Sequence, residues 1–347
     1  MITVSLCMIV KNEEKVLRRC LDSLKGLMDE IIIVDTGSTD NTKKIAAEYT
    51  DRIYDFEWTD DFSEARNFSF SKATMDYIYT ADADEVIDSE NFSRFMNIKE
   101  CMMEEIEIVQ MKYINENADN NLQNSRVEYR PKLFKRLRTF TWTDPVHETV
   151  RTWPVVFDSD ICILHKPEGV HGTRDLSIFY RHTQNGGRLS KRIRNMYARE
   201  LLNIGTKEDF DKATEYFERV YADENIDDDS KKEAACVLAR SYRFNGDMLN
   251  FFKYALKDVL TESCSEMCYE LGEMYFASGD YIEASIWYYN AIYETSCILD
   301  IHTSGDLSLY RIAECYDKLS INDSSYADSA KEYAELARKW EMPEELI

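Results

Sequence analysis

The sequence predicts an α/β domain built on a largely parallel sheet with helices on both faces, followed by an all-α domain of helical repeats. Three observations carry this. Strand-like and helix-like stretches alternate through the first 170 residues. From about Leu176 the pattern becomes helical and repetitive. Glycine (11) and proline (5) are too scarce among 347 residues for a turn-rich all-β fold. At about 150 residues per domain the length suggests two domains, placed at 1–175 and 176–347.

The elements follow in order. Thr3 to Val10 is an apolar, β-rich run. Lys15 to Leu27 puts Val16, Leu17, Cys20, Leu21 and Leu24 on one helical face, with Asn12 as its cap and Glu13 and Glu14 in the first turn. Glu30 to Asp35 (EIIIVD) is nearly continuously apolar, as in a strand buried on both faces. Gly37 and Ser38 make a turn, and Asp40 or Asn41 opens the next helix. Arg52 to Asp55 is a short strand, Glu64 to Ala73 a helix, and Tyr77 to Ala81 (YIYTA) a buried strand. Sheets of this kind bind ligands beyond the carboxyl ends of their strands. The informative residues are therefore Lys11-Asn12-Glu13, Asp35-Thr36-Gly37-Ser38 and Asp82-Ala83-Asp84.

In the second half, Ala239-x-x-Tyr242-x-x-x-Gly246-Asp247 returns 33 residues later as Gly272-x-x-Tyr275-x-x-x-Gly279-Asp280. Ala284, Tyr288 and Ala291 follow at helical spacing. A third copy starts at Ala313-x-x-Tyr316, with Ala327, Ala330 and Ala334 after an insertion, and a weaker copy lies at Tyr197 to Tyr221. This period, with Gly at the turn and small residues at helix contacts, is similar to tetratricopeptide repeats. Such repeats commonly hold peptide segments or partner proteins.

Composition excludes several classes. With 42 Lys+Arg against 65 Asp+Glu, the net charge of −23 argues against nucleic-acid binding. A hydrophobic content of 44% excludes wholesale disorder. No apolar run reaches about 18 residues, so no transmembrane segment is expected. The N-terminus lacks the pattern of a secretory signal, and nine scattered cysteines suggest a reducing cytoplasm.

Four constellations can carry chemistry. Asp82-Ala83-Asp84-Glu85 ends the YIYTA strand, where paired carboxylates can hold a divalent cation; as an acidic turn it would merely be solvated. VDTGSTDNT places Asp35 at a strand tip, either for a nucleobase or ribose or as ordinary turn chemistry. In Asp61-Phe62-Ser63-Glu64-Ala65-Arg66-Asn67, Arg66 meets a phosphate, the Asp-x-Asp carboxylates, or a helix-start acid. Trp142-Thr143-Asp144-Pro145-Val146-His147-Glu148 contains the general-base candidates Asp144 and Glu148. Three of five histidines (His147, His165, His171) fall within 25 residues, as candidates for metal or diphosphate ligation. Basic residues also cluster. Arg126, Arg130, Lys132, Lys135, Arg136 and Arg138 fall within 13 residues, and Leu176 to Arg199 holds six Lys or Arg and no acid. These stretches serve a diphosphate or acidic acceptor, or pair with the acidic repeats.

Taken together, SLCMIVKNEEKVLRRCLDSL, EIIIVDTGSTDNT, DFSEARN, YIYTADADE and PVHE resemble glycosyltransferase family 2, over roughly the first 170 residues. More narrowly they resemble its bacterial subgroup with a tetratricopeptide-like C-terminus, which includes sublancin-type peptide glycosyltransferases and lipopolysaccharide-core enzymes. The resemblance implies a GT-A fold, a UDP-sugar donor, Mn²⁺ or Mg²⁺, and inversion at the anomeric carbon. It implies that Val10, Asn12 and Glu13 line the nucleotide pocket and that Asp35 contacts uracil. Arg66 then lies near base or phosphates, Asp82 faces ribose or sugar, Asp84 binds the metal, and His165 stands beside metal and diphosphate. DPVHE replaces the usual catalytic carboxylate segment, leaving Asp144 or Glu148 as base, with His147 behind them. The acceptor is expected to be a peptide or protein side chain, joined through oxygen or sulfur. The alternatives are a surface-glycan acceptor and a non-catalytic repeat scaffold. Repeat surfaces often self-associate, which accommodates a homodimer without any particular residue requiring one.

Overall fold

The computed structural model describes the chain except for residues 116–126, 137–141, 144–148, 151–153, 167–171, 260–262 and 342–347. It divides into two compact units, the first holding the described residues up to Lys166 and the second those from Gly172.

In the first unit, β1 (Val4–Val10) pairs in parallel with β2 (Glu30–Asp35), which pairs in parallel with β3 (Ile53–Asp55). β4 (Tyr77–Thr80) flanks the other side of β1, also parallel. Register pairs Val10 with Asp35 and Cys7 with Thr80, so these strands end at one edge. Helices α1 (Leu17–Leu24), α2 (Thr42–Ala46) and α3 (Phe62–Ser71) form the crossovers. α1 buries Leu17, Cys20, Leu21 and Leu24, the apolar stripe of an amphipathic helix, in the same core as Leu6, Met8 and Val10 of β1. Asp61 caps α3 by accepting from the Ser63 and Glu64 amides.

Two expectations are corrected here. α1 is shorter than Lys15–Leu27, and Asn12 does not cap it. Asn12 sits at a left-handed φ of 57°, and its Oδ1 accepts from the Thr39 amide at 2.8 Å. A partner 27 residues away holds the carboxamide that a helix start would have used. The sheet is also mixed rather than largely parallel. After β5 (Glu85–Val86) and α4 (Ser89–Cys101) come β6 (Ile108–Asn115), β7 (Val127–Lys135), the two-residue strands β8 (Trp142–Thr143) and β9 (Thr149–Val150), and β10 (Val156–His165). The order is β3-β2-β1-β4-β7-β6-β10-β5, with β7 antiparallel to both β4 and β6. β7 follows β6 in the chain and pairs with it antiparallel. β10 is parallel to β6, so it ends at the same edge as β1, β2 and β4.

The second unit is helical: α5 (Gly172–Thr183), α6 (Lys191–Ile204), α7 (Lys207–Ala222), α8 (Asp228–Asn245), α9 (Met248–Val259), α10 (Ser265–Ser278), α11 (Tyr281–Tyr293), α12 (Asp306–Ser320) and α13 (Ala327–Lys339). The repeated Tyr-x-x-x-Gly-Asp has a local cause. Gly246 and Gly279 end α8 and α10 in the left-handed region (φ 70° and 83°). The Asp247 and Asp280 amides bond back to the Tyr242 and Tyr275 carbonyls, closing each helix in the manner of a Schellman cap. The same aspartates then accept from the Asn250 and Glu283 amides, opening α9 and α11. Gly272 has another reason: a Cβ there would lie 2.6 Å from the Tyr288 ring. Among the described residues, no helix is long and apolar enough to cross a membrane.

Candidate active site

Two loops at the common strand edge are stapled together. The Asn12 amide donates to Ser38 Oγ at 2.9 Å, the Glu13 amide to Thr42 Oγ1 at 2.7 Å, and the Glu14 amide to Asp40 Oδ2 at 3.1 Å. Asp35 Oδ1 accepts from the Gly37 and Ser38 amides at 3.0 and 2.9 Å. Its Oδ2 is buried and has no hydrogen-bond partner among the described residues. The carboxylate therefore combines both readings: one oxygen builds the turn, and the other is an acceptor left over. Val10, buried at the end of β1, adjoins it through the Thr36 amide, which donates to the Val10 carbonyl.

Asp82 to Glu85 forms a turn closed by the Glu85 amide on the Asp82 carbonyl. Cys20 Sγ donates to that carbonyl from α1, and the Lys166 amide donates to the Asp84 carbonyl. The chain here passes from the fourth to the eighth place in the sheet order and rejoins it as β5, where Glu85 pairs with His165. That passage brings Asp84 Oδ2 within 3.0 Å of His165 Nε2. Arg66, almost buried on α3, lies 3.6 Å from Asp82 Oδ1 and donates to the Thr80 hydroxyl. Asp82 itself is half-exposed. Burial pushes its carboxyl up, but Lys132, Arg66 and Arg130 outweigh this and hold it at about 2, so it is ionised at neutral pH.

The basic stretch on β7 divides. Lys135 and Arg136 donate to the Glu104 and Met75 carbonyls. Arg130 stacks over the Tyr113 ring, its guanidinium carbon 3.6 Å from the centroid, and that ring lies 5.2 Å from His165. Lys132 is buried and donates to Glu85 Oε1 at 2.5 Å. Arg126 and Arg138 lie outside the described residues. In the other basic stretch, Lys191 pairs with Asp227 at 2.8 Å and Arg188 with Asp223 at 3.9 Å, within the second unit.

Asp144, His147, Glu148 and His171 lie outside the described residues. The preceding Trp142 is fixed: Asn67 bonds its amide and carbonyl at 2.8 and 3.0 Å, and Arg66 sits 4.8 Å from its ring. The indole packs with Ile108, Phe134 and Phe70, a core role.

Asp84 and His165 put an oxygen and a nitrogen donor in contact, and no group of three His, Cys, Asp or Glu able to hold a metal occurs among the described residues. Such a pair suits a Mg²⁺ or Mn²⁺ ion that takes its other ligands from phosphate oxygens and water. The residues fit that group.

Residues 5–163 match the family model of glycosyl transferase family 2. A TPR repeat-containing protein of Synechococcus elongatus is 36% identical over 152 residues, covering 43% of this chain and 36% of that protein. The prophage-derived glycosyltransferase SunS of Bacillus subtilis is 34% identical over 131 residues, covering 37% of this chain and 31% of SunS. The chain thus spans about a third of these relatives' length. Among solved structures, S. aureus TarS 1–349 is 14% identical with a TM-score of 0.37, covering 82% of this chain and 90% of that one.

Sequence alone does not mark Glu85, Lys132 or Tyr113 as site residues. Their signal was chain position, Glu85 beside Asp84 and Lys132 in a basic run, and neither reveals burial.

Proposed function

We propose that the chain is an inverting glycosyltransferase that moves a sugar from a UDP-sugar to a peptide or protein side chain. Residues 1–175 would be the catalytic domain and 176–347 would help hold the acceptor. The observation that carries this reading is the Asp82-to-Glu85 turn at the end of β4 in a family 2 domain, with Asp84 against His165 and Asp82 against Arg66.

Asp84 and His165 would hold Mn²⁺ or Mg²⁺, which when bound supplies Lewis-acid stabilisation of the departing diphosphate. Asp82, kept ionised by its cationic neighbours, accepts hydrogen bonds from ribose or sugar hydroxyls. The leftover Asp35 oxygen accepts from a base N–H. Arg130, 40% exposed and paired with Glu128, would meet the leaving group's growing negative charge. Asp144 or Glu148, with His147 third, would take the acceptor proton and align in-line attack, giving inversion. A peptide acceptor is supported by the helical repeats, a kind of scaffold that commonly holds peptide segments.

The test is a panel of nucleotide sugars with Mn²⁺, Mg²⁺ or EDTA, reading free nucleoside diphosphate. Metal-dependent hydrolysis of a UDP-sugar is the expected result. No turnover and no nucleotide binding by calorimetry would overturn the reading in favour of a scaffold.

A further inference from the structure

β7 contains a β-bulge. Val109 pairs with Leu133 and Gln110 with Pro131, so Lys132 is an extra residue opposite no partner in β6. Bulges re-aim side chains and recur beside active sites. Here the alternation of β7 breaks at that point: Val127, Tyr129 and Pro131 are exposed, while Lys132, Leu133 and Phe134 are buried in succession. Leu133 also pairs with Tyr79, which places Lys132 one residue further along, level with the end of β4. The bulge thus delivers an ammonium group to the buried side of the Asp82–Glu85 turn.

Glu85 meets it there. The pair is 2.5 Å apart with side chains 6% and 2% exposed, and Glu85 Oε2 has no hydrogen-bond partner among the described residues. Holding a lysine and a glutamate out of water is costly, and a hydrophobic pair would fill the same space without that cost. The turn above explains the arrangement. Asp82, Asp84 and Glu85 put three carboxylates within four residues, and Lys132 holds the last of them at 2.5 Å, next to Asp84 in the chain.

We propose that Lys132 is a positioning residue: brought in by the bulge and clamped by Glu85, it fixes the Asp82–Asp84 turn in the shape that receives a nucleotide diphosphate and its cation. The proposal rests on the glycosyltransferase reading above. It gives the Lys132–Glu85 pair a role in donor binding and not only in folding.

The experiment compares wild type, Lys132→Met and Glu85→Gln/Lys132→Met by thermal unfolding and by calorimetric titration with UDP in Mn²⁺. The double variant leaves no uncompensated buried charge, so its melting temperature should return toward that of wild type. Its UDP affinity should stay about 10–100-fold below wild type, the usual loss for an outer-shell partner. Recovery of both stability and affinity in the double variant would show a purely structural pair and overturn the proposal. If neither Met variant folds, Lys132→Arg decides: affinity near wild type in the folded variant upholds the need for the cation, and loss equal to a missing donor site refutes it. Absence of UDP and GDP binding by wild type would instead sink the glycosyltransferase reading, and this proposal with it.

Discussion

Each unit buries a glutamate among cations, and the two are resolved differently. In the second unit Glu270 is fully buried, and its oxygens accept from Arg240 Nε at 2.5 Å and Arg243 Nε at 2.7 Å. Arg240 also bonds the Leu202 carbonyl at 2.7 Å. Burial pushes the Glu270 carboxyl up, and the two guanidinium groups overcome it, leaving it below the ordinary range. In the first unit Glu85 has one cation for its two oxygens, and burial pushes it up to about 7 against Lys132. A satisfied network ties helices α6, α8 and α10 together and needs nothing further. A half-satisfied one is poor for stability, and on the proposal above its place in the turn that carries Asp82 and Asp84 would be explained by what those residues bind.

That contrast can be broken at several points. The largest effect belongs to Asp84, the neighbour of Glu85 in the chain. Asp84→Ala should lower transfer by about 10²–10³-fold, the range for losing one charge-stabilising group, while circular dichroism and melting stay near wild type. Undiminished transfer would remove Asp84 from the chemistry. Next comes Glu270→Gln, which takes a buried anion from two guanidinium groups only 11% and 17% exposed. It should cost about 3–5 kcal/mol of stability, read by denaturant unfolding, with UDP affinity of the folded protein unaltered. Reduced UDP affinity at full stability would erase the distinction between the two networks.

Protonation gives a gentler version of the same cut. Because the folded Glu270 carboxyl lies below its ordinary value of 4.5, its contribution is complete above that pH. The contribution fades as pH falls from about 4.5 through the folded value. The stability gap between wild type and Glu270→Gln should therefore be constant from pH 6 to 8 and close in acid. A gap that widens in acid would show that the arginines do not hold the carboxylate ionised.

The sequence disclosed one half of the first unit better than the other, for a physical reason. β1 to β4 are apolar runs separated by helical periods, and EIIIVD is a strand from first residue to last. Its loops carry Asp35 and Asp82, and the meeting of Arg66 with Asp82 was among the readings of DFSEARN. β7 reads VEYRPKLFK, with a proline and four charges, and its strand identity comes from neighbours rather than its own pattern. The bulge at Lys132 is a property of register between two strands, which a single chain does not display. His165 and Asp84 are 81 residues apart, and only the family resemblance joined them in advance. Asn12 shows the opposite error, where a local capping rule lost to a tertiary partner.

The smallest expected effect tests whether burial, and not a short contact, is what sets these pairs apart. Lys43 Nζ and Asp55 Oδ1 are as close as Lys132 and Glu85, at 2.5 Å, but their side chains are 44% and 78% exposed. Water solvates both partners when the contact opens, so the gain is the difference between two well-hydrated states, and ordering two side chains offsets it. Lys43→Ala should change stability by no more than about 0.5 kcal/mol, and raising salt to 1 M should shrink even that, since the Debye length falls to about 3 Å. A loss comparable to Glu270→Gln, persisting in high salt, would mean that distance alone ranks these ion pairs. Burial would then give no reason for Glu85 to be kept for donor binding.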